Sequence, residues 1–406
     1  MIARRQLPVH SPIAMSALPP AIGAALTRRG GNHELLAADL ARKFRACRVV
    51  LTDSGTSALV LALRTVVGEG RTVALPGYAC VDLVAAVRQA RVKVRLYDID
   101  PATLSPDLVS LRRVLEDGVA AVVVAHLYGF PADLPRVTEL ARAYGASVIE
   151  DAAQGGGGTL RGAPLGSFGA LTVLSFGRGK GITGGRGGAL LAIAPDLADR
   201  LEPLGSARGI PPGWVDLALA ASQWVFGRPT LYSIPSAIPG LRLGEMVYRP
   251  AHDPGPLSAG AAVLVRAALG RAEREAAVRR RNAGILNEAA ADGDGFATIR
   301  PIPEGTPGYI RLPIRDLRHR SPVPRLGILR AYPRALIDQE ELGSCLLPCE
   351  APPGAAELAR SLFTLPVHSL VNRRDLNHLR DWLRSCSTSA SDGELLARME
   401  CATTAR

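Results

Sequence analysis

Between residues 48 and 195, short apolar runs alternate with stretches whose apolar residues recur at helical spacing. Arg48 to Leu51, Thr72 to Leu75, Lys93 to Tyr97, Ala120 to His126, Ser147 to Ile149, Leu171 to Phe176 and Ala189 to Ile193 read as seven strands. Val122-Val123-Val124 has no polar alternate, which predicts burial on both faces, as in a mostly parallel sheet covered by crossover helices. One such helix is legible in full: Asp133 caps it, Leu134, Val137, Leu140 and Ala141 form its apolar face, and Gly145 ends it.

The texture changes after residue 200. Nine prolines lie between Pro203 and Pro256, which predicts irregular connecting structure with one good helix near Val215 to Val225. Ser258 to Asn287 is alanine-rich and free of proline, so a single long helix is expected there, leading into a smaller domain. That domain should hold a strand at Tyr309 to Ile314 and a last amphipathic helix at Asp375 to Leu383. The expected division is an N-terminal arm at 1–30, a large α/β domain at 31–200, a proline-rich connection at 201–257, a linker helix with the small domain at 258–386, and a tail at 387–406.

Composition narrows the classes. The 406 residues suit two or three domains of about 100–200 residues, and 47% hydrophobic with 21% charged residues excludes a disordered chain. Six cysteines, at 47, 80, 345, 349, 386 and 401, form no C-x-x-C pair, which fits reduced thiols in a cytoplasm and no metal site. No apolar run reaches the ~18 residues of a membrane span, and prolines at 8, 12, 19 and 20 interrupt any export signal. The formal charge of +11 raises a nucleic-acid partner. The basic residues are scattered, however, with Arg279-Arg280-Arg281 the densest run, and aromatics are only 4%, so a solvated arginine-rich surface is the simpler reading. Only Lys43, Lys93 and Lys180 are lysines, and arginine cannot replace a lysine's amine chemistry.

Three segments carry candidate chemistry. Asp53-Ser54-Gly55-Thr56-Ser57-Ala58-Leu59 lies between a strand and a helix, where free amides and hydroxyls suit a phosphate, although an ordinary capped turn explains the same residues. Glu150, Asp151 and Gln154 stand at the carboxyl end of a buried strand, where ligands sit in open α/β sheets; an acid there can equally be a cap or a structural ion pair. Lys180 follows Ser175 by five residues and sits in a glycine-rich loop, with Arg178 and Arg186 near enough to disfavour its ammonium form. A phosphate-binding lysine is the competing reading, but the loop lacks G-x-x-x-x-G-K-[ST] spacing. His126 and His368 fit satisfied structural histidines and take no role.

Together with Tyr97-Asp98-Ile99-Asp100, His126-Leu127-Tyr128-Gly129, Gly166-Ser167-Phe168-Gly169 and Gly308-Tyr309-Ile310-Arg311-Leu312-Pro313, these segments resemble the DegT/DnrJ/EryC1/StrS family of pyridoxal phosphate-dependent sugar aminotransferases. The resemblance implies an α/β chain of fold type I, with a mostly parallel seven-stranded sheet in the large domain and a smaller C-terminal α/β domain. It implies Lys180 as the Schiff-base lysine, Asp151 against the pyridine nitrogen, Gln154 beside the phenolic oxygen, and Ser175 with Gly55, Thr56 and Ser57 around the phosphate. It also implies a homodimer acting on small molecules, an amino donor and a keto acceptor, with glutamate passing its amino group to a nucleotide-linked sugar. Two features depart from the family. Cys80 stands four residues beyond Pro76, where an aromatic residue stacks on the cofactor ring, unless Tyr78 turns inward to substitute. No N-x-R motif occurs around Gly244 to Arg249, where Arg249 is the one stand-in. A dehydratase variant of the family has histidine in place of the lysine, so Lys180 argues against it; a non-catalytic regulator or nucleic-acid-binding protein on the same fold is the other alternative.

Overall fold

A computed structural model describes residues 4–28, 30–201, 204, 209–238, 240, 247–318 and 320–385. The expected tail at 387–406, together with Gly244 to Met246, lies outside the described residues. The large sheet contains β1 (Arg48–Thr52), β2 (Thr72–Pro76), β3 (Lys93–Tyr97), β4 (Ala121–Ala125), β5 (Ser147–Asp151), β8 (Leu171–Ser175) and β9 (Gly188–Ala192). Their order is β1-β9-β8-β5-β4-β2-β3. Only β9 runs against its neighbours; β8, β5, β4, β2 and β3 pair in parallel. The seven strands therefore fall within one or two residues of the apolar runs.

The valine run of β4 shows why. Val122 and Val124 join the core under helices Leu108–Glu116 and Leu134–Ala143, while Val123 joins the core under Gly55–Val66 and Asp82–Ala90. Successive strand residues point to opposite faces, so both faces need apolar side chains. Each fully buried valine or leucine contributes about 1.5–3 kcal/mol. Asp133 caps Leu134–Ala143 by accepting from the Arg136 amide at 3.3 Å, as its sequence predicts.

A ribbon of β6 (Thr159–Leu160), β7 (Ala163–Pro164) and β11 (Gly305–Thr306) leads to a second, antiparallel sheet. That sheet contains β10 (Phe296–Thr298), β12 (Leu312–Asp316), β13 (Leu329–Arg330) and β14 (Leu362–Leu365), in the order β10-β12-β14-β13. The helix Arg373–Ser385 covers it, placing Trp382 at 5.0 Å from Phe296 between ring centres.

Three expectations need correction. The segment from 258 is two helices, Ala259–Leu269 and Ala272–Ala291, because Gly270 interrupts it where an interior glycine costs about 1 kcal/mol of helix stability. The strand expected from Tyr309 begins only at Leu312. Tyr309 has φ +47°, and the Gly308 and Ile310 amides donate to the carbonyls of Gly129 and Tyr128, which ties residues 308–310 to the large domain. The Arg279-Arg280-Arg281 run is solvated only in part: Arg281 is exposed, but Arg279 is 1% exposed and donates to the Gly156 carbonyl at 2.7 Å, while the half-buried Arg280 donates to that of Gly157 at 2.8 Å.

Candidate active site

The sheet order brings separated segments to one edge. Thr52 on β1 faces Gly188 on β9, which faces Ser175 on β8, and Asp151 at the end of β5 pairs with Val173 on β8. Beyond β1, Ser54 caps helix Gly55–Val66 by accepting from the Ser57 amide at 3.0 Å, and the Ser54 and Ser57 hydroxyls lie 2.8 Å apart. Ser57 is thereby committed to the cap. The turn packs so tightly on β8 that a Cβ on Gly55 would stand 2.7 Å from Ser175 Cβ and 2.9 Å from its Oγ. This cradle presents helix N-terminal amides and the Ser175 hydroxyl to one point, which suits a phosphate.

Glu150 and Asp151 are adjacent on β5, so their side chains leave opposite faces. Glu150 is fully buried and accepts from His126 Nε2 at 2.7 Å and from the amides of Gly166, Phe168 and Gly169 at 2.6 to 2.8 Å. Burial pushes its carboxyl up, but the His126 and amide hydrogen bonds outweigh it and hold the group below the usual range. His126 Nδ1 accepts from the Ala132 amide at 3.1 Å, so Nε2 carries the proton. Glu150 and His126 are thus a structural pair that fixes the Gly166-to-Gly169 turn. Asp151 faces the cleft and accepts from the Ala153 amide at 3.0 Å. Burial raises its pKa, and no ion-pair partner stands beside it among the described residues.

Lys180 lies in the loop after β8, beside the cleft floor. The N-terminal segment packs over this loop: the Ser11 hydroxyl donates to the Lys180 carbonyl, and Val9 abuts Gly179, whose φ is +79°. Arg186 Nε stands 4.0 Å from Asp216, and Arg178 is exposed at the cleft mouth. A cleft of about 670 Å³ is lined by Gly55, Thr56, Ser57, Cys80, Asp151, Gln154, Ser175 and Lys180, the residues expected to hold the cofactor.

An adjoining lobe of about 410 Å³ shares Cys80, Gln154 and Lys180 and adds Tyr128, Arg311 and Tyr332. Gln154 Oε1 accepts from the Tyr128 amide at 2.9 Å, and its Nε2 donates to the Tyr332 hydroxyl at 2.6 Å. Cys80 lines both spaces; burial, then the nearby Asp82 carboxylate, push its thiol well up. Tyr78 does not substitute for an aromatic there. It is fully buried behind the lobe, its hydroxyl accepts from the Tyr332 amide at 2.9 Å, and its ring lies 5.3 Å from that of Tyr332. Tyr332 had no local signal in the sequence, since its segment bears no motif. Tyr128 and Arg311 lie within the segments that carry the resemblance, and Tyr128 holds φ +56°, a costly backbone for a bulky residue. In the middle region, Arg249 is exposed and lines both spaces.

The donor set fits pyridoxal phosphate: a tight cradle for its phosphate, a half-buried carboxyl with no ion-pair partner among the described residues for its ring nitrogen, and one primary amine lining the same space.

Residues 20–212 match the model of the DegT/DnrJ/EryC1/StrS aminotransferase family. An L-glutamine:2-deoxy-scyllo-inosose aminotransferase of Streptomyces kanamyceticus is 38% identical over 169 residues, which are 40% of this chain and 40% of that protein. A protein of the same name from Streptomyces lividus is 30% identical over 306 residues, 74% of this chain and 65% of that one. The chain thus spans less than two thirds of either relative. The structure of a sugar aminotransferase from Micromonospora echinospora superposes with a TM-score of 0.70 at 23% identity, covering 95% of this chain and all of that one, and so shares the fold.

Proposed function

From the premise that the chain belongs, through residues 20–212, to the DegT/DnrJ/EryC1/StrS aminotransferase family, we propose that it is a pyridoxal phosphate-dependent aminotransferase passing an amino group from glutamate to a keto group of a nucleotide-linked sugar. The observation that carries this reading is the Asp151 carboxyl, half-buried on the floor of the cleft that Lys180 also lines, with no ion-pair partner among the described residues. Bound pyridoxal phosphate supplies a carbonyl that condenses with primary amines and a ring that accepts electrons from the carbon beside the nitrogen. Lys180 would anchor the cofactor through its Nζ, and as a free amine it would hold and move the proton of the donor's α-carbon. Asp151 keeps the ring nitrogen protonated. Its rise in pKa without a partner turns into a gain when a cationic N–H meets the carboxylate. Gln154 has one amide hydrogen on Tyr332 and a second without an acceptor among the described residues, which would serve the cofactor's phenolic oxygen. Ser175, with the amides of Gly55 and Thr56, holds the phosphate, and Cys80 covers one side of the space with a small sulfur where an aromatic ring would be larger.

The exposed Arg178 and Arg249 at the cleft mouth support a diphosphate-bearing acceptor. A keto-cyclitol is the second reading, favoured by the names of the two relatives above. The proposal includes a homodimer, which would complete the cleft beside Arg249, working in a cytoplasm, in keeping with the free thiols of Cys47, Cys80, Cys345 and Cys349. No helix among the described residues is long and apolar enough to cross a membrane.

The test is an absorbance spectrum of the purified protein, before and after borohydride, with mass mapping of the modified residue. Cofactor reduced onto Lys180 is expected. Loading the amine form with glutamate and then offering nucleotide-linked keto sugars, keto-cyclitols and simple 2-keto acids sorts the acceptors. Turnover with the simple keto acids alone would overturn the sugar reading.

A further inference from the structure

Arg311 stands out among the charged groups outside the cofactor cradle. Removal from water lowers its pKa, and the groups that act on it most are Tyr128, Tyr332 and Tyr232, with Arg178 opposing. Among the described residues its one hydrogen bond is from Nη1 to Thr364 Oγ1 at 3.2 Å, and no carboxylate pairs with it. Arg311 is half-buried and lines an open lobe, and a guanidinium has five donors, so most of them are left for a ligand entering that space. The neighbouring Arg330 differs: it donates to the carbonyls of Arg360 and Arg320 and lies over the Phe363 ring. Tyr332 shares the pattern of an unmet donor, because its hydroxyl accepts from Gln154 and has no acceptor of its own among the described residues.

We propose that Arg311, with the Tyr332 hydroxyl, is the subsite for the α-carboxylate of the amino donor. This rests on the reading that Lys180 takes part in amino transfer. A donor's carboxylate is attached to the carbon that bears the reacting nitrogen, so its cation must lie in the same compartment as Lys180. Arg311 does, in the lobe of about 410 Å³ that also holds Lys180 and Gln154. Arg178, Arg249 and Arg330 line the same lobe, but Arg178 and Arg249 are exposed to solvent and Arg330 is taken up by two carbonyls, which leaves Arg311 as its half-buried, under-bonded cation. The diphosphate of a nucleotide-linked acceptor is separated from the keto carbon by part of the sugar ring. Its cations are better sought among the solvent-exposed arginines, Arg178 and Arg249, which line both the lobe and the main cleft. The planar guanidinium matches a carboxylate in two parallel hydrogen bonds, and the tyrosine hydroxyl adds a third. The donor class is therefore an α-amino acid, and a primary amine lacking the carboxylate should be a poor substitute.

The test uses the holoenzyme and glutarate, a dicarboxylate that binds but cannot donate nitrogen, with calorimetric Kd as the readout. Arg311→Gln is expected to weaken glutarate about 10- to 100-fold and to raise the KM for glutamate, with the KM for the acceptor changed less than twofold. Tyr332→Phe should weaken glutarate several-fold, and it keeps the proposal testable if Arg311→Gln does not fold. Free guanidinium should partly restore glutarate binding to Arg311→Ala. Unchanged glutarate affinity in both variants, or a rise confined to the acceptor's KM, would overturn the assignment in favour of an acceptor phosphate. If the wild type bound no cofactor at Lys180, the family-based reading would fail instead; glutarate binding that still depended on Arg311 would then leave the anion site standing.

Discussion

The wall of the cleft that carries Asp151, Ser175 and the Gly55 turn comes from neighbouring strand ends of one sheet, where pairing fixes each position within a residue. The opposite wall takes Tyr128 from a left-handed turn, Arg311 from the irregular segment before β12, and Tyr332 from the loop after β13. Chemistry follows the same division. The sheet wall is arranged for a cofactor of fixed shape, and a cradle that even a Cβ would fill leaves it little room to vary. The opposite wall is assembled from distant segments and presents hydroxyls and a guanidinium with unmet donors. That combination suits a substrate site, where loops can change the ligand without disturbing the sheet.

The division is broken most severely at Lys180. Lys180→Ala should lose the cofactor's visible absorbance and all measurable amino transfer while keeping its circular dichroism spectrum. Neither other lysine can replace it: Lys93 Nζ donates to the Ser344 carbonyl, and Lys43 lies outside the cleft. Retained absorbance reducible by borohydride would move the chemistry away from this loop. Asp151→Asn comes next. The amide keeps the shape, so cofactor should remain bound, but a neutral ring nitrogen is a weak electron sink, and kcat should fall about 10³-fold, near 4 kcal/mol of barrier. A variant turning over like the wild type would reduce Asp151 to a structural acid.

Legibility in the sequence follows the same line. Strand runs and the Asp133 cap are local signals, and their positions hold. The acids on β5 show the limit: adjacency marks both, but only the pleat tells that Asp151 enters the cleft while Glu150 turns back to His126 and the Gly166-to-Gly169 turn. Arg279 shows another. Its run reads as surface charge, and nothing local reveals that the Gly155-to-Gly158 segment needs a helix against it, with Gly157 so close to Ala276 that a Cβ would stand 2.3 Å away. Tyr332 and Arg311 owe their place to tertiary contacts alone.

A milder perturbation sharpens the sheet side. Gly55→Ala would set a methyl group against Ser175, so the turn and β8 must separate. Overpacking of this kind costs about 1–3 kcal/mol. Cofactor affinity, read by absorbance titration, should weaken about tenfold, with a smaller fall in melting temperature. An unaltered affinity would show that the phosphate is held elsewhere.

The smallest effect concerns the N-terminal segment that covers the Lys180 loop. His368 is fully buried; its Nε2 donates to the Leu7 carbonyl at 3.0 Å, and its ring lies 5.6 Å from that of His10. Burial, then the charge of His10, Arg279 and Arg311, push its pKa down to about 3, and the Leu7 hydrogen bond opposes this only in part. In the unfolded chain the same imidazole takes up a proton near pH 6.5. Between those values the unfolded state binds more protons than the folded one, so stability must fall as pH drops from about 6.5 toward 3. The slope from this group is at most about 1.4 kcal/mol per pH unit. His10, whose own pKa is lowered first by burial, adds in the same direction. His368→Gln keeps a donor for Leu7 and removes the titration, so denaturant unfolding should show a shallower loss between pH 6.5 and 4.5 in the variant than in the wild type. Parallel curves would mean that the buried imidazole accepts its proton without cost, and that the contact between Leu7 and His368 is not what makes this end of the chain sensitive to acid.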